Sequence, residues 1–206
     1  MALYKNNLEN KEVQILKAIE SISKIAKDLN TISYVWGGIT TSIHQGFFYR
    51  PHHDIDLFII NLHVLADKLK MLLDEKGWVV KKILNNHMLI LKNNILKIHI
   101  NNIIVEDQKI AHFKHNGSNG TITFPLKWLR QKPVTFYNIV INVIEPELLY
   151  VLKTNPYLMD PEYRNWDERK KLKREEKDKK DIPILEKMII NEGIDPKILI
   201  NQVSSY

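Results

Sequence analysis

The sequence predicts an α+β fold, a short mixed sheet flanked by helices, with a helical C-terminal part. Three observations predict it. Apolar residues recur at helical steps over residues 9–29 and 62–73. Short β-favouring runs separated by asparagine pairs fill residues 78–107. Proline recurs just after helix-start residues in the last third, at Pro146, Pro161 and Pro196.

In order along the chain, Val13, Leu16, Ile19, Ile22, Ile25, Ala26 and Leu29 form one face of a first helix, with Asn30 as its stop. Ile32 to Trp36 is a short apolar strand ending at Gly37-Gly38, and residues 39–46 form a short helix ending near Gly46. Ile55 to Ile60 reads as a buried strand. Asn61 then caps a helix whose apolar face carries Leu62, Leu65, Ala66, Leu69, Leu72 and Leu73, with Gly77 past its end. Trp78–Leu84, His87–Leu91 and Ile95–Ile100 are strand-like, and Asn85-Asn86 and Asn93-Asn94 sit where turn residues belong. Residues 103–107 make a further strand. Residues 114–120 are the best loop in the chain. Asn138–Ile144 is one more strand, and Asp160, Asp181 and Asp195 are helix starts after Pro146. The division this suggests is a sheet domain over 1–144 and a helical region over 145–206.

Of the 206 residues, 44% are apolar, enough for a buried core, and none is cysteine, which excludes disulfides, thiolate metal sites and cysteine nucleophiles. No apolar run reaches the ~18 residues that cross a bilayer. The first residues lack the apolar stretch of a secretory signal, so the expectation is a cytoplasmic protein with no membrane partner. The net charge of +6 favours anionic partners such as triphosphates or RNA, and argues against a polycationic substrate. Part of that excess lies in residues 168–180, a run of mixed sign that reads as a solvated helix face or as a phosphate-facing one.

The informative stretch is Trp36-Gly37-Gly38 followed by Arg50-Pro51-His52-His53-Asp54-Ile55-Asp56. Alternation along a strand puts Asp54 and Asp56 on one face and Ile55 and Leu57 on the other. Two such carboxylates suit a hard divalent cation such as magnesium, which takes oxygen ligands and keeps substrate phosphates in its shell. Gly37 and Gly38 close a strand and open a helix, where backbone N–H groups face an anion. Thr40, Thr41 or Ser42 can add a hydroxyl, and Arg50 a planar fork for phosphate oxygens. A zinc site of His52, His53 and Asp54 is a weaker reading, because adjacent residues rarely reach one metal. Each piece alone has an ordinary explanation in turns and surface residues; the joint pattern is specific.

That pattern, a strand into Trp-Gly-Gly, a helix, then Arg-Pro-His-x-Asp-Ile-Asp, resembles the nucleotidyltransferase superfamily related to DNA polymerase β. The likeness is greatest to its small antibiotic-modifying members, the lincosamide and aminoglycoside 2''-nucleotidyltransferases. The resemblance implies that Gly37 and Gly38 contact phosphate, that Arg50 and His52 form an Arg-x-His element, and that Asp54 and Asp56 bind magnesium. It implies a nucleoside triphosphate substrate, with ATP first among candidates, and a small-molecule acceptor such as an antibiotic, or alternatively tRNA or a protein. More loosely, Phe124–Leu129 and Glu145–Lys153 look like segments leading into the C-terminal helices, with Lys153 as an auxiliary phosphate ligand. Lys177-Asp178-Lys179-Lys180-Asp181 is similar to a late Lys-Asp-x-x-Asp element, though helix-surface ion pairs worth tenths of a kcal/mol explain it equally well. Tyr157, Tyr163 and Trp166 either line an acceptor pocket or pack in the core.

The sequence departs from the family at Leu96-Lys97-Ile98-His99-Ile100, where a third carboxylate is expected and Lys97 stands. Three readings are open. Glu106 or Asp107 supplies the base; His99 does, as an imidazole titrating near neutrality; or Lys97 pairs with the aspartates and weakens the metal site into a nucleotide- or RNA-binding module. At ~4 Å and an effective dielectric of ~20, a Lys–Asp contact carries about 4 kcal/mol of raw Coulomb energy.

Overall fold

The computed structural model describes residues 8–84, 87–92, 96–114, 121–129 and 132–205. The asparagine pairs at 85–86 and 93–94, and all but the first residue of the 114–120 loop, lie outside them.

The chain begins with α1 (Asn10–Asp28), β1 (Ser33–Trp36), α2 (Gly38–Gln45), β2 (Asp54–Ile60) and α3 (Leu62–Glu75). It continues through β3 (Val79–Leu84), β4 (His87–Lys92), β5 (Leu96–Glu106), β6 (Ile110–Phe113), β7 (Ile122–Pro125), β8 (Val134–Phe136) and β9 (Ile139–Ile141). Helices α4 (Pro146–Thr154), α5 (Pro156–Met159), α6 (Glu168–Asn191) and α7 (Pro196–Leu199) follow, with a two-residue β10 (Ser204–Ser205). The fold is mixed α/β, as the periodicities imply.

The sheet runs β1-β2-β5-β6-β7-β10, with β4 joining β5 and β3 joining β4. Only β2 and β5 are parallel among these pairs, and their register sets Asp54 beside Lys97 and Asp56 beside His99. One face packs Ile55, Leu57, Ile59, Ile98 and Ile100 against Ile15, Ile19 and Ile22 of α1 and Leu69 and Leu73 of α3. The other face packs Phe58, Trp36 and Phe113 against Leu148, Leu149 and Val151 of α4 and Leu185 and Ile189 of α6. Trp36 stacks on Phe58 with ring centroids 4.5 Å apart. A fully buried aliphatic or aromatic side chain contributes about 1.5–3 kcal/mol, so these two layers supply the main stabilisation.

Three readings are corrected. The separate strands at 95–100 and 103–107 are one strand, β5, because Asn101 and Asn102 are buried in its middle and the ladder to β2 runs through them. Asn61 precedes α3, but it is left-handed (φ 57°) and makes no side-chain cap. Asp160 does start a short helix, the 3-10 segment Pro161–Asn165, and its carboxylate accepts the Trp166 indole N–H at 2.9 Å. Asp181 starts no helix: α6 passes through Pro183, held by buried Asp181 before it and by Leu185 and Ile189 after it. A proline inside a helix removes one backbone hydrogen bond, and this packing outweighs that loss. By contrast, Gly46 ends α2 in the left-handed region, and Asp195 caps α7 by accepting from the Lys197 N–H. No helix among the described residues is long and apolar enough to cross a membrane.

Ile100→Ala is expected to lower stability by about 2–5 kcal/mol, since a cavity opens in a layer with no room to collapse. Val140→Ala, on the exposed side of β9, is expected to stay within about 0.5 kcal/mol. Urea unfolding of both variants with an unchanged m-value checks the pair.

Candidate active site

Alternation along β2 turns Ile55 and Leu57 into the α1–α3 core and leaves Asp54 and Asp56 on the face toward α4 and α6. Asp56 then lies directly against the end of β1. Gly37 has φ 75° and ψ −158°, a conformation open to glycine, and a Cβ there would overlap the Asp56 Oδ2 atom. A Cβ on Gly38 would overlap the Arg50 guanidinium. The two glycines are thus fixed by two charged groups that pack against the chain at this turn. The first N–H groups of α2 start here without intrahelical partners.

Arg50 is held from the far end of the chain. Its Nε and NH2 groups donate to the two oxygens of Asp181, both at 2.9 Å, and the Tyr49 hydroxyl donates to the same carboxylate. Lys153 Nζ reaches Asp181 at 2.7 Å and Asp178 at 2.8 Å, and Arg174 Nε reaches Asp178 at 3.3 Å. The Asp181 side chain is 0% exposed. Burial works to raise its pKa, but the hydrogen bonds and charges of Arg50 and Lys153 hold it below the usual carboxylate range. So Asp178 and Asp181 are not helix-surface pairs: they join α6 to α4 and to the segment before β2. His52 is buried as well, with Nε2 2.8 Å from the Ser42 hydroxyl and Nδ1 3.5 Å from Arg50 NH1. Burial first, then the Arg50 charge, brings its pKa down to about 3, so the ring is neutral.

These groups border a cavity of about 480 Å³. Its lining includes Trp36, Gly37, Gly38, Arg50, His52, Asp54, Asp56 and Lys153, and one side of α6 with Lys170, Lys173, Arg174 and Lys177. Trp166 also lines it, with Lys170 Nζ 3.3 Å from the ring centroid. Neither the Asp54 nor the Asp56 side chain has a hydrogen bond or ion pair among the described residues. Burial first, then the Asp54 charge, pushes the Asp56 pKa up to about 7, against the lowering effect of Lys153 and Lys177. Two uncompensated carboxylates side by side at a cavity floor fit a hard divalent cation. No cluster of three or more His, Cys, Asp or Glu suited to a metal occurs among the described residues, so the remaining ligands would be water and phosphate oxygens.

No family model matches the chain, and no curated protein matches it in sequence. In three dimensions it is similar to the antibiotic-resistance factor ANT(2'')-Ia, at 14% identity and a TM-score of 0.66, over 92% of this chain and 90% of that one. It is similar to the lincomycin-bound lincosamide antibiotic adenylyltransferase LnuA, at 18% identity and a TM-score of 0.56, over 88% and 98% of the two chains. An antigenic nucleotidyltransferase-like protein from Paracoccidioides brasiliensis matches at 15% identity and a TM-score of 0.51, over 85% and 77%. The chain has the nucleotidyltransferase fold.

Within this nucleotidyltransferase fold most of the expected residues come together, while Thr40 and His99 are not among the residues that line the cavity. Gly37, Gly38, Asp54, Asp56, Arg50, His52 and Lys153 share one cavity. Arg50 and Lys153 reach it with much of their hydrogen-bonding capacity already given to Asp181 and Asp178. Thr40 is a correction: it is fully buried, does not line the cavity, and its hydroxyl has no partner among the described residues. Of the three hydroxyls considered, Ser42 holds His52 and Thr41 is buried like Thr40. The zinc reading fails because His52 is bound to Ser42 while His53 Nδ1 lies 2.7 Å from Lys11 Nζ. Glu106 ends β5 about 30 Å from Lys97 by strand rise, with Asp107 in the turn after it, and Glu106 faces His112. That leaves His99 beside Asp56, half-buried, its Nδ1 3.2 Å from His87 Nε2. Burial lowers its pKa, with Asp54 opposing and Lys97 adding to the shift. Lys97 faces the same side as the aspartates, yet forms no ion pair with them among the described residues. The run 168–180 was open between a solvated and a phosphate-facing helix face, and Lys170, Lys173, Arg174 and Lys177 of it line the cavity. Their i, i+3, i+4, i+7 spacing was the available signal.

Asp181→Ala is expected to cost about 3–5 kcal/mol, because it strands buried Arg50 and leaves Lys153 with Asp178 alone. Denaturant unfolding measures this. Asp56 supplies a pH test. Its folded pKa of about 7 exceeds the unfolded value of about 3.9. The folded chain therefore binds an extra proton between those values, and stability falls as pH rises through that window. Asp56→Asn is expected to melt above the wild type at about pH 8 in chelator, with the gap closing as pH falls to about 4.

Proposed function

We propose that this chain is a cytoplasmic, magnesium-dependent nucleotidyltransferase that moves a nucleoside monophosphate from a nucleoside triphosphate, ATP first among candidates, to the hydroxyl of an acceptor. The observation that carries the reading is the convergence, on one cavity of this fold, of the Gly37-Gly38 turn with the partnerless Asp54 and Asp56 pair. Residues 1–144 would supply the turn and the aspartates, and residues 145–206 the basic wall.

In this reading Asp54 and Asp56 would hold a magnesium ion, whose charge would polarise the α-phosphoryl group and ease departure of pyrophosphate. The backbone at Gly37 and Gly38 receives the triphosphate at the start of α2. Lys153 and Lys177, whose charges already act on Asp56, offset phosphate charge at the cavity floor. Arg50 and His52 act chiefly as positioning residues: the Arg50–Asp181 fork fixes the loop that delivers Asp54, and neutral His52 braces it on Ser42. His99, neutral and in register with Asp56, accepts the hydroxyl proton of the acceptor. The main contributions to rate are then alignment and electrostatics in a preorganised pocket. The acceptor class includes small hydroxyl compounds such as antibiotics.

Incubation with α-labelled ATP, GTP, CTP and UTP plus magnesium, against a lincosamide, an aminoglycoside and bulk tRNA, tests the reading. Transfer is expected to need magnesium and to fall to background in Asp56→Asn. Wild-type transfer by that variant overturns the mechanism.

A further inference from the structure

The functional groups lie in a row across three neighbouring strands. Gly37 and Gly38 end β1, Asp54 and Asp56 sit on β2, and Lys97 and His99 sit on β5. Each step is about 4.8 Å, the spacing of adjacent strands. In-line displacement sets the attacking and leaving oxygens on opposite sides of the transferred phosphorus. With the triphosphate at the glycine turn, pyrophosphate leaves over β1 and α2, and the acceptor approaches over β5. Lys97 does not line the cavity itself and stands next to Asp54, which does.

Four observations bear on what Lys97 meets there. It is the register neighbour of Asp54, and Leu96 and Ile98 on either side of it are buried in the opposite core, so it faces the aspartate side. It is exposed, and it has no hydrogen bond or ion pair among the described residues. The other carboxylates around the cavity are engaged: Asp178 by Lys153 and Arg174, Asp181 by Arg50 and Lys153, and Asp160 by the Trp166 N–H. Finally, α6 presents Lys170, Lys173, Arg174 and Lys177 to the cavity, while its Glu175 and Glu176 do not line it. Nothing among these residues is left to receive a cationic acceptor, and the cations suit a group bearing more than one negative charge. Lysine ammonium groups bind phosphate as point charges without demanding one orientation.

Resting on the transferase reading above, we propose that Lys97 anchors a phosphate group carried by the acceptor, making the acceptor a phosphorylated hydroxyl compound rather than a polyamine. The acceptor hydroxyl oxygen bonds to the α-phosphorus, the bond from that phosphorus to the bridging oxygen breaks, and pyrophosphate leaves. The hydroxyl proton passes to His99. The acceptor phosphate stays intact and serves only as the handle. Its source is either a small phosphate ester or the phosphorylated end of an RNA.

The test begins with titration of magnesium and a non-hydrolysable ATP analogue into the full chain. If the analogue does not bind with magnesium, the transferase reading itself fails and takes this inference with it. With the analogue saturating, inorganic phosphate is titrated and followed by calorimetry and by phosphorus NMR. Phosphate is expected to bind the complex, and Lys97→Met to weaken it by about tenfold, the loss of one charged contact, with analogue affinity unchanged. Absence of phosphate binding, or equal binding in Lys97→Met, overturns the proposal. So does a loss of analogue affinity in that variant, which would make Lys97 a triphosphate ligand. Transfer assays then compare glycerol 3-phosphate with glycerol, and an oligoribonucleotide with a terminal phosphate against the same strand without it. Preference for the phosphorylated member of either pair, abolished in Lys97→Met, identifies the source. Equal use of both members in each pair also overturns the anchor role.

Discussion

Asp181 is buried against an arginine, a lysine and a tyrosine from distant parts of the chain, and the geometry of the cavity follows from that contact. The Arg50 fork is spent on this carboxylate, which fixes the segment leading into β2. The guanidinium then lies over Gly38, and the Asp56 carboxylate over Gly37. An isolated carboxylate buried at this depth would neutralise or draw in water; with two cations and a hydroxyl it stays charged. The same contact brings α6 against the sheet, so that the helix wall and the aspartate strand face each other. A bidentate arginine pair also carries directional information that a lysine in its place would not.

The sheet half of the molecule was largely legible because its signals are local. Alternation in Asp54-Ile55-Asp56-Leu57 gives the facing of β2 without knowledge of any other strand. The Gly37-Gly38 pair, Arg50 and His52 were legible for the same reason: the site uses them within about twenty residues of one another. Where the sequence misled, the deciding contact was long-range. Asp181 next to Pro183 carries a helix-start signature, yet its carboxylate belongs to Arg50, separated by 131 residues. Nothing in a window around Asp181 encodes that partner. Asn101 and Asn102 fall between the two strand readings, and their place in β5 is set by β2, which is in register with both, and by β4 beside Asn101. Thr40 was misplaced because residues after a glycine turn all look available, whereas one turn of helix rotates this one into the interior.

The row of glycines, aspartates and lysine across β1, β2 and β5 also explains why composition alone was only partly informative. The overall positive charge is modest, but it is sorted. On α6 Lys170, Lys173, Arg174 and Lys177 border the cavity, and Glu175 and Glu176 lie elsewhere on the same helix. A run that reads as mixed in one dimension is therefore predominantly positive on the side that borders the cavity, where Asp178 is the acidic exception and is paired with Lys153 and Arg174. Sorting of this kind acts on an incoming anion through a low-dielectric mouth far more strongly than the net charge suggests.

The reach of the Arg50–Asp181 contact has a consequence for the order of folding. Loops of this length close late, after local helices and hairpins have formed, because the entropy of bringing the ends together must be met first. A chain emerging from the ribosome can pair β1 with β2 well before α6 exists. During that interval Arg50 has no carboxylate to hold it and the aspartates face open water. The pocket is completed only when the last long helix docks, so a half-made chain carries the glycine turn and the aspartates without the basic wall that borders them in the finished fold.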